Sequence, residues 1–322
     1  MKKTMCILLV LIMVFSLAAA CNGGGSGSGL ITVAIINAPP GESGYREANV
    51  KDFESVFTEE NGYDASTFYS DNHNEQLNAV RQFIDDGVDY ILLSAASTDG
   101  WDSVFRSARD AGIKIFLFDR MVNVSDDLFE AAVVSDMARQ GELAIRWLKG
   151  QNLDVYNIVH IQGIMGSDAQ VGRTAALDRE FAAGTMNKVH QESASWDEDT
   201  ATEIVRGLIE NGRDFNVIYA ENDGMARGAV TALQEAGISH GVDRDVIIMG
   251  FDANKWALRE LLAGNWNYNG QCSPFQASVI DEKIRILEDG GALTEKIVLS
   301  NEIGFDARTI TQADIDTYGL GD

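Results

Sequence analysis

Six short apolar runs that each end on a polar residue constrain the fold of this chain more than any other feature. The runs are rich in Ile, Leu, Val and aromatic residues without strict alternation, which is typical of strands buried on both faces of a parallel sheet. Helical patterns of about a dozen residues separate them, as parallel crossovers require. The runs and their terminal residues are Ile31–Ile36 with Asn37, Tyr90–Leu93 with Ser94, Lys114–Phe118 with Asp119, Asn157–Ile161 with Gln162, Val217–Glu221 with Asn222, and Val246–Phe251 with Asp252.

The polar residues at the ends of these runs are candidate ligand contacts. Small ligands of open α/β sheets bind at the carboxyl ends of the strands, where such residues would meet. The alternative is that they only begin turns, in which Asn, Asp and Ser are common. Their recurrence in register favours the binding interpretation.

Two consecutive series of strands and helices predict an α/β protein with two similar lobes. Weaker strand patterns complete the series at Tyr63–Tyr69, Ala131–Ser135, Lys188–Ser195 and Asn267–Cys272. Right-handed crossovers would give each lobe a parallel sheet with helices on both faces. Two such lobes joined by a hinge would face each other across a cleft with their strand ends.

The N-terminal segment predicts export and attachment to a membrane. Lys2 and Lys3 precede an apolar stretch that closes on small residues, and Cys21 follows directly. This layout is that of a secretory signal, and the position of the cysteine resembles a bacterial lipoprotein signal. Residues 1–20 would be the signal peptide, Cys21 the lipidated residue and residues 21–29 a flexible Gly/Ser tether. The alternative is an uncleaved anchor, for which the apolar stretch is short.

Composition and motifs exclude several classes of function. The formal net charge is −24, so the chain lacks the clustered Lys and Arg that nucleic-acid binding requires. No dinucleotide-binding or P-loop motif follows a strand, so no cofactor is expected. Cys272 has no partner for an intramolecular disulfide after lipidation of Cys21. The four histidines are isolated, with no zinc spacing, and no metal site is expected.

Several segments, taken in order and spacing, resemble the sugar-binding proteins of bacterial ABC transporters, in the ribose/galactose-binding group. They span about residues 31–310, and two of them, Glu42–Arg46 and Thr98–Trp101, look most like the galactofuranose-binding branch. The resemblance implies the type I periplasmic binding protein fold with two Rossmann-like lobes. The other segments are Gly87–Leu92, Phe116–Arg120, Ile161–Gly163 with Arg173 and Phe181 downstream, Tyr219–Asp223, and Gly250–Asp252.

The resemblance also implies a set of ligand contacts. Charged and amide side chains would bind sugar hydroxyls, and aromatic rings would cover the apolar face of the ring. Ser94 stands where ribose-binding members carry Asn. The last polar contact is either Gln271 or Cys272, and Gln271 is the better hydrogen-bonding group. The implied contacts are Tyr45, Arg46, Ser94, Asp119, Arg120, Arg173, Trp196, Asn222, Asp252 and Gln271.

The function implied is that of a monomeric extracytoplasmic receptor that closes on a monosaccharide and delivers it to an ABC permease. By the resemblance, three crossings near Ser135, Ser273 and Ile303 form the hinge. The lobes would be residues 30–134 with 274–303, and residues 135–273 with 304–322. The alternative is a sensory role in which the protein presents its sugar to a chemoreceptor or histidine kinase.

Catalysis is not expected. Asp119 and Asp252 are a conceivable carboxylate pair for glycoside hydrolysis. The adjacent Arg120 would keep Asp119 ionised and able only to accept hydrogen bonds, which suits binding better than acid catalysis.

Overall fold

The computed structural model describes residues 29–321, so the predicted signal peptide, Cys21 and most of the tether lie outside the described residues. Within that range the strands, in chain order, are β1 (Ile31–Asn37), β2 (Tyr63–Tyr69), β3 (Tyr90–Leu93), β4 (Lys114–Asp119), β5 (Ala131–Ser135), β6 (Asn157–Gln162), β7 (Asn187–Ser193), β8 (Val217–Ala220), β9 (Ile247–Asp252), β10 (Tyr268–Gln271), β11 (Ile297–Ser300) and β12 (Gly304–Asp306). The helices are α1 (Gly44–Val56), α2 (His73–Asp86), α3 (Asp102–Asp110), α4 (Met137–Lys149), α5 (Asp168–Ala183), α6 (Glu198–Glu210), α7 (Asp223–Glu235), α8 (Lys255–Leu262), α9 (Ala277–Glu288) and α10 (Gln312–Tyr318).

The strands form two six-stranded sheets, in the orders β11-β5-β4-β3-β1-β2 and β12-β10-β9-β8-β6-β7. Every pairing is parallel except that of β10 with β12, which is antiparallel. The chain passes between the sheets three times: after β5, after β10, and between β11 and β12. The predicted two-lobe α/β fold is confirmed.

Each sheet is buried on both faces, which explains the unbroken apolar runs of its central strands. In the first sheet, Phe53 and Ile280 of α1 and α9 belong to the core of one face, and Val80 and Phe105 of α2 and α3 to that of the other. In the second sheet, α4 and α5 cover one face, whereas α6, α7 and α8 cover the other. Burial of apolar surface on both faces is therefore what holds the strand ends in fixed positions.

Side-chain caps set the start of the helices that carry candidate site residues. Ser43 accepts a hydrogen bond from the backbone N–H of Arg46 at the start of α1, Ser167 caps α5 and Asn222 caps α7. Such caps satisfy N–H groups that have no partner within the helix. The caps thus fix the first turns of these helices at the edge of the cleft.

Three elements near the C-terminal end were not predicted: β11, β12 and α10. Residues of β11 are only half-buried or exposed, β12 has three residues, and α10 has one buried residue, Ile315. Their apolar patterns are short: three consecutive residues, Ile297–Leu299, in β11, one residue, Phe305, in β12, and a single turn's worth of apolar face in α10.

No helix among residues 29–321 combines the length and the apolar character needed to cross a membrane.

Candidate functional site

The carboxyl ends of the two sheets face each other across a narrow cavity of about 20 Å³. Asp119 ends β4 and Asp252 ends β9, while Asn222 follows β8. Arg173 reaches the cavity from α5, and Tyr45 reaches it from α1. The lining residues are Glu42, Ser43, Tyr45, Asp119, Arg120, Met137, Ala169, Arg173, Trp196, Asn222, Asp252 and Cys272.

Seven of the ten side chains expected as ligand contacts line this cavity, and three do not. Arg46 and Ser94 lie behind the wall of the first lobe. Arg46 donates to Asp119 Oδ2 at 2.7 Å, and the Ser94 hydroxyl donates to the same oxygen at 2.8 Å. Both side chains are buried and do not line the cavity; their hydrogen bonds hold Asp119 in place.

Gln271 and Cys272, the two alternatives for the last polar contact, lie in different surroundings. The side chain of Gln271 lies near the segment that joins β11 to β12, where its Oε1 accepts a hydrogen bond from the backbone N–H of Ile303 at 3.3 Å. Cys272 follows the end of β10 and lines the cavity. Burial raises the pKa of the Cys272 thiol, and Glu302 adds to the effect. The wall therefore presents a neutral, weakly hydrogen-bonding group at this position.

The first-lobe wall carries a carboxylate that is kept ionised. Tyr45 donates to Asp119 Oδ1 at 2.8 Å, and Arg120 Nε lies 3.4 Å from Asp119 Oδ2. Burial alone would raise the pKa of Asp119, but the neighbouring Arg46 and Arg120 lower it below its usual value. Asp119 is therefore an acceptor-only group at the cavity surface.

The second-lobe wall is built around Arg173, which is 2% exposed. Its Nε donates to Gln140 at 2.9 Å, its Nη1 donates to the carbonyl of Glu221, and its Nη2 donates to Asp252 Oδ1 at 3.2 Å. The guanidinium also lies over the ring of Phe251, 4.8 Å from its centroid. These contacts fix a planar donor group at the cavity.

A second acidic group shares this wall. Burial raises the pKa of Asp252 above its usual value, Arg173 opposes the shift, and Asp119 and Glu42 add to it. The four groups face one another across the two lobes, so the cavity contains both signs of charge at close range. Such a mixed lining suits a ligand with hydroxyl groups, each of which both donates and accepts.

Trp196 forms an aromatic wall of the cavity. The strand β7 ends at Ser193, two residues before the predicted end, because Ser195 (φ 53°) and Trp196 (φ 70°) adopt left-handed backbone conformations. The indole packs against Gly163, where a Cβ atom would lie closer than 3.0 Å to three ring atoms. Only glycine at position 163 leaves room for the ring.

Left-handed backbone recurs at the cavity. Asp119 (φ 64°), Trp196 (φ 70°) and Asp252 (φ 104°) all have positive φ, which is uncommon for residues other than glycine. Strained conformations of this kind are retained where surrounding structure enforces them, and they concentrate at ligand sites.

Three buried polar atoms of the lining have no hydrogen-bond partner within the described residues. They are Glu42 Oε1, Arg120 Nε and Trp196 Nε1. Arg120 Nε and Glu42 Oε1 still face opposite charges, Asp119 Oδ2 at 3.4 Å and Arg120 Nη2 at 3.7 Å. A hydroxylated ligand that reached the three atoms would supply the hydrogen bonds that they lack. Glu42 was not predicted as a contact, although it begins the segment Glu42–Arg46 that carries part of the resemblance. The other lining residues missed from sequence were Ser43, Met137 and Ala169, which have no chemical signature.

The two lobes touch at the rim of the cavity. Thr98 donates its backbone N–H to the carbonyl of Gly166 at 3.0 Å, and Met121 donates to Asp168 Oδ2 at 2.8 Å. The cleft is closed along this flank.

Among the described residues there is no group of three or more His, Cys, Asp or Glu side chains arranged to hold a metal ion.

The chain matches a known protein family and is similar in sequence to proteins of known function. Residues 33–276 match the sequence model of a family described as "Periplasmic binding protein domain". The fructose import binding protein FruE of Bifidobacterium longum is 29% identical over 92% of this chain and 91% of its own length. The galactofuranose-binding protein YtfQ of Escherichia coli is 28% identical over 70% of this chain and 72% of its own.

The fold is also similar to that of binding proteins whose structures have been solved. The periplasmic binding protein of the arabinose ABC transporter of Shewanella sp. ANA-3, bound to α- and β-L-arabinofuranose, superposes with a TM-score of 0.81 at 25% identity, covering 89% of this chain and 95% of that one. A galactofuranose binding protein superposes with a TM-score of 0.81 at 26% identity, covering 89% and 98%.

Proposed function

Because this chain belongs to the family of periplasmic binding protein domains, we propose that it is an extracytoplasmic receptor that captures a monosaccharide between its two lobes. Relatives named for fructose and galactofuranose, and a structural neighbour that holds arabinofuranose, support a sugar in the furanose form as the first candidate. Delivery of the sugar to an ABC permease is part of the proposal, and the same relatives support it.

The observation that carries the proposal is the set of unsatisfied polar atoms in the cavity. Glu42 Oε1 is an acceptor and Arg120 Nε and Trp196 Nε1 are donors, so a single hydroxylated ring can exchange both kinds of hydrogen bond. Asp119 and Arg173 supply charged groups, whose hydrogen bonds contribute about 1.5–3 kcal/mol each. Trp196 and Tyr45 supply apolar surface for the C–H face of a ring.

The proposed ligand contacts follow from this lining. We assign contact roles to the charged and amide groups and to the two aromatic rings, with Arg46 and Ser94 acting through Asp119. The contacts are Glu42, Tyr45, Asp119, Arg120, Arg173, Trp196, Asn222 and Asp252.

Closure is proposed to occur about the three passes of the chain between the sheets. On this view the lobes are residues 30–134 with 274–303, and residues 135–273 with 304–322. The rim hydrogen bonds of Thr98 and Met121 join the two lobes and would form on closure. A sugar that contacts both lobes would bind the closed form better and therefore favour it. Attachment to the membrane through a lipid on Cys21 is a further part of the proposal.

The test is a thermal-shift panel of pentoses and hexoses, including L-arabinose, D-galactose, D-fructose and D-ribose, followed by calorimetry. A ligand that binds only the native protein raises its stability by RT ln(1 + [L]/Kd). At least one sugar is expected to raise Tm in a concentration-dependent way. Absence of any shift across the panel at millimolar sugar would refute the proposal, and product analysis after long incubation would reveal unexpected turnover.

A further inference from the structure

A second cavity adjoins the one already described. It has a volume of about 350 Å³ and is lined by residues of both lobes. We call it the outer chamber, and the cavity of about 20 Å³ the inner cavity. The two share five lining residues: Glu42, Ser43, Trp196, Asn222 and Asp252.

The outer chamber occupies one flank of the cleft only. The opposite flank is sealed by the rim hydrogen bonds at Thr98 and Met121. On the side of the outer chamber the lobes meet closely at Gly44, where a Cβ atom would collide with the side chain of Asn254. The outer chamber and the inner cavity meet at residues that line both, among them Glu42 and Trp196.

The lining of the outer chamber has the chemistry of a carbohydrate subsite. Glu47 and Asp197 are acceptors at its walls. Arg227 is held there as a planar donor, because its Nε donates to Glu198 at 2.8 Å and its guanidinium stacks 4.0 Å from the ring centroid of Trp256. Planar polar groups next to aromatic surface are what a hydroxylated ring requires.

The two spaces differ in size. The inner cavity has a volume of about 20 Å³, so a sugar ring enters it only when the surrounding side chains or the lobes move outward. The outer chamber has a volume of about 350 Å³, which lies within the usual range of about 300–1,000 Å³ for ligand pockets and has room for a second ring.

We propose that the outer chamber binds the second unit of a short oligosaccharide or glycoside whose terminal ring fills the inner cavity. This inference rests on the proposed function, and it extends the ligand class from free monosaccharides to glycosides. Trp196 would contact both units, because it lines both spaces.

The experiment compares each free sugar with a disaccharide that carries the same terminal ring, by calorimetry on the purified protein. The pairs are L-arabinose with arabinofuranobiose, D-galactose with a galactofuranosyl disaccharide, and D-fructose with sucrose. At least one disaccharide is expected to bind about tenfold more tightly than its free sugar, which corresponds to about 1.4 kcal/mol.

Two substitutions that place a larger side chain in the outer chamber test whether the second sugar unit binds there. At Gly41 a Cβ atom meets no atom within 4 Å, and at Gly224 the nearest atom lies at 3.7 Å, so both positions have space for a Cβ atom. We therefore choose Gly41→Phe and Gly224→Met to place side chains in the outer chamber. Gly207→Met is the matched control, since Gly207 is also open and lies in α6 away from both spaces. The filling variants are expected to weaken disaccharide binding at least tenfold and to change free-sugar binding by less than about twofold.

The outcomes are distinct from those of the proposed function. Binding of free sugars together with loss of binding for every disaccharide would overturn the inference and leave the proposed function intact. Disaccharide binding that survives both filling variants would overturn the assignment to the outer chamber. Failure of every sugar to bind would overturn the proposed function and this inference with it.

Discussion

Substitution of Gly163 by alanine tests whether the placement of Trp196 controls the cavity. The added Cβ atom would lie closer than 3.0 Å to three atoms of the indole, a separation that real Cβ atoms essentially never show. The ring cannot bend, and the backbone of Trp196 is held at φ 70° with its carbonyl accepting from Asn222 Nδ2 at 3.3 Å. The indole must therefore swing out of its place.

The magnitude follows from the cost of overpacking. Forcing an extra methyl group into a packed site costs about 1–3 kcal/mol, and the free energy of unfolding of Gly163→Ala should fall by that amount. Sugar affinity should fall at least tenfold, or by about 1.4 kcal/mol, because the displaced ring no longer covers the sugar and the donor Nε1 leaves the cavity.

A double-mutant cycle separates the clash from other effects. In the Trp196→Ala background the alanine at position 163 has no ring to meet, so its cost in unfolding free energy should nearly vanish, giving a coupling energy of about 1–3 kcal/mol. Gly207→Ala is the matched control and should stabilise the protein by about 0.5–1 kcal/mol, because it replaces glycine in a helix interior. Chemical denaturation gives the stabilities, and calorimetry gives the affinities.

An equal cost of Gly163→Ala in both backgrounds would refute the proposed clash, because the indole would then not be the group that the new methyl meets. Unchanged sugar affinity in the single variant would show that the position of Trp196 does not matter for binding.

Two further predictions concern charged groups of the cleft. Arg173→Ala should weaken sugar binding at least tenfold and reduce unfolding free energy, because it leaves Asp252 buried without its cation; calorimetry that finds unchanged affinity would count against Arg173 as a contact. Asp168→Asn should flatten the dependence of sugar affinity on pH. Burial raises the pKa of Asp168 to about 6 in the closed form, Asp119 and Asp136 add to the shift, and Arg120 and the N–H of Met121 oppose it. A carboxyl whose pKa is higher in the closed form favours closure fully below its ordinary pKa and has lost that effect once the pH exceeds about 6, so wild-type affinity should fall between about pH 4 and pH 6 and level off above that range. One pKa unit corresponds to about 1.4 kcal/mol, and equal pH profiles for the two proteins would contradict this role.

The arrangement of the cleft assigns different roles to residues of the same chemical type. Asp119 and Asp252 both end strands and both face the cavity, yet the pKa of Asp119 is lowered by two arginines whereas that of Asp252 is raised by burial. One carboxylate is a fixed acceptor, and the other is closer to protonation. That difference gives the two walls of the cavity distinct hydrogen-bonding character.

The sequence by itself determined the architecture. Strands covered by helices on both faces must be apolar throughout, so β1, β3, β4, β6, β8 and β9 were readable as continuous runs, and helix lengths between them required parallel crossovers. The residues at the strand ends then marked the cleft, because parallel strands end at one edge of the sheet. Asp119, Asn222 and Asp252 were found in this way.

Tertiary structure alone decided which polar side chains reach the cavity. Arg46 and Glu42 stand four residues apart around the start of α1, but packing directs Arg46 behind Asp119 and leaves Glu42 at the cavity surface with an unsatisfied oxygen. Gln271 and Cys272 are neighbours, and the end of β10 determines which of them faces the cleft. Burial of a strand or helix requires apolar residues in a regular pattern along the sequence, so it can be predicted from the sequence. The direction of a polar side chain depends instead on partners that are distant along the chain.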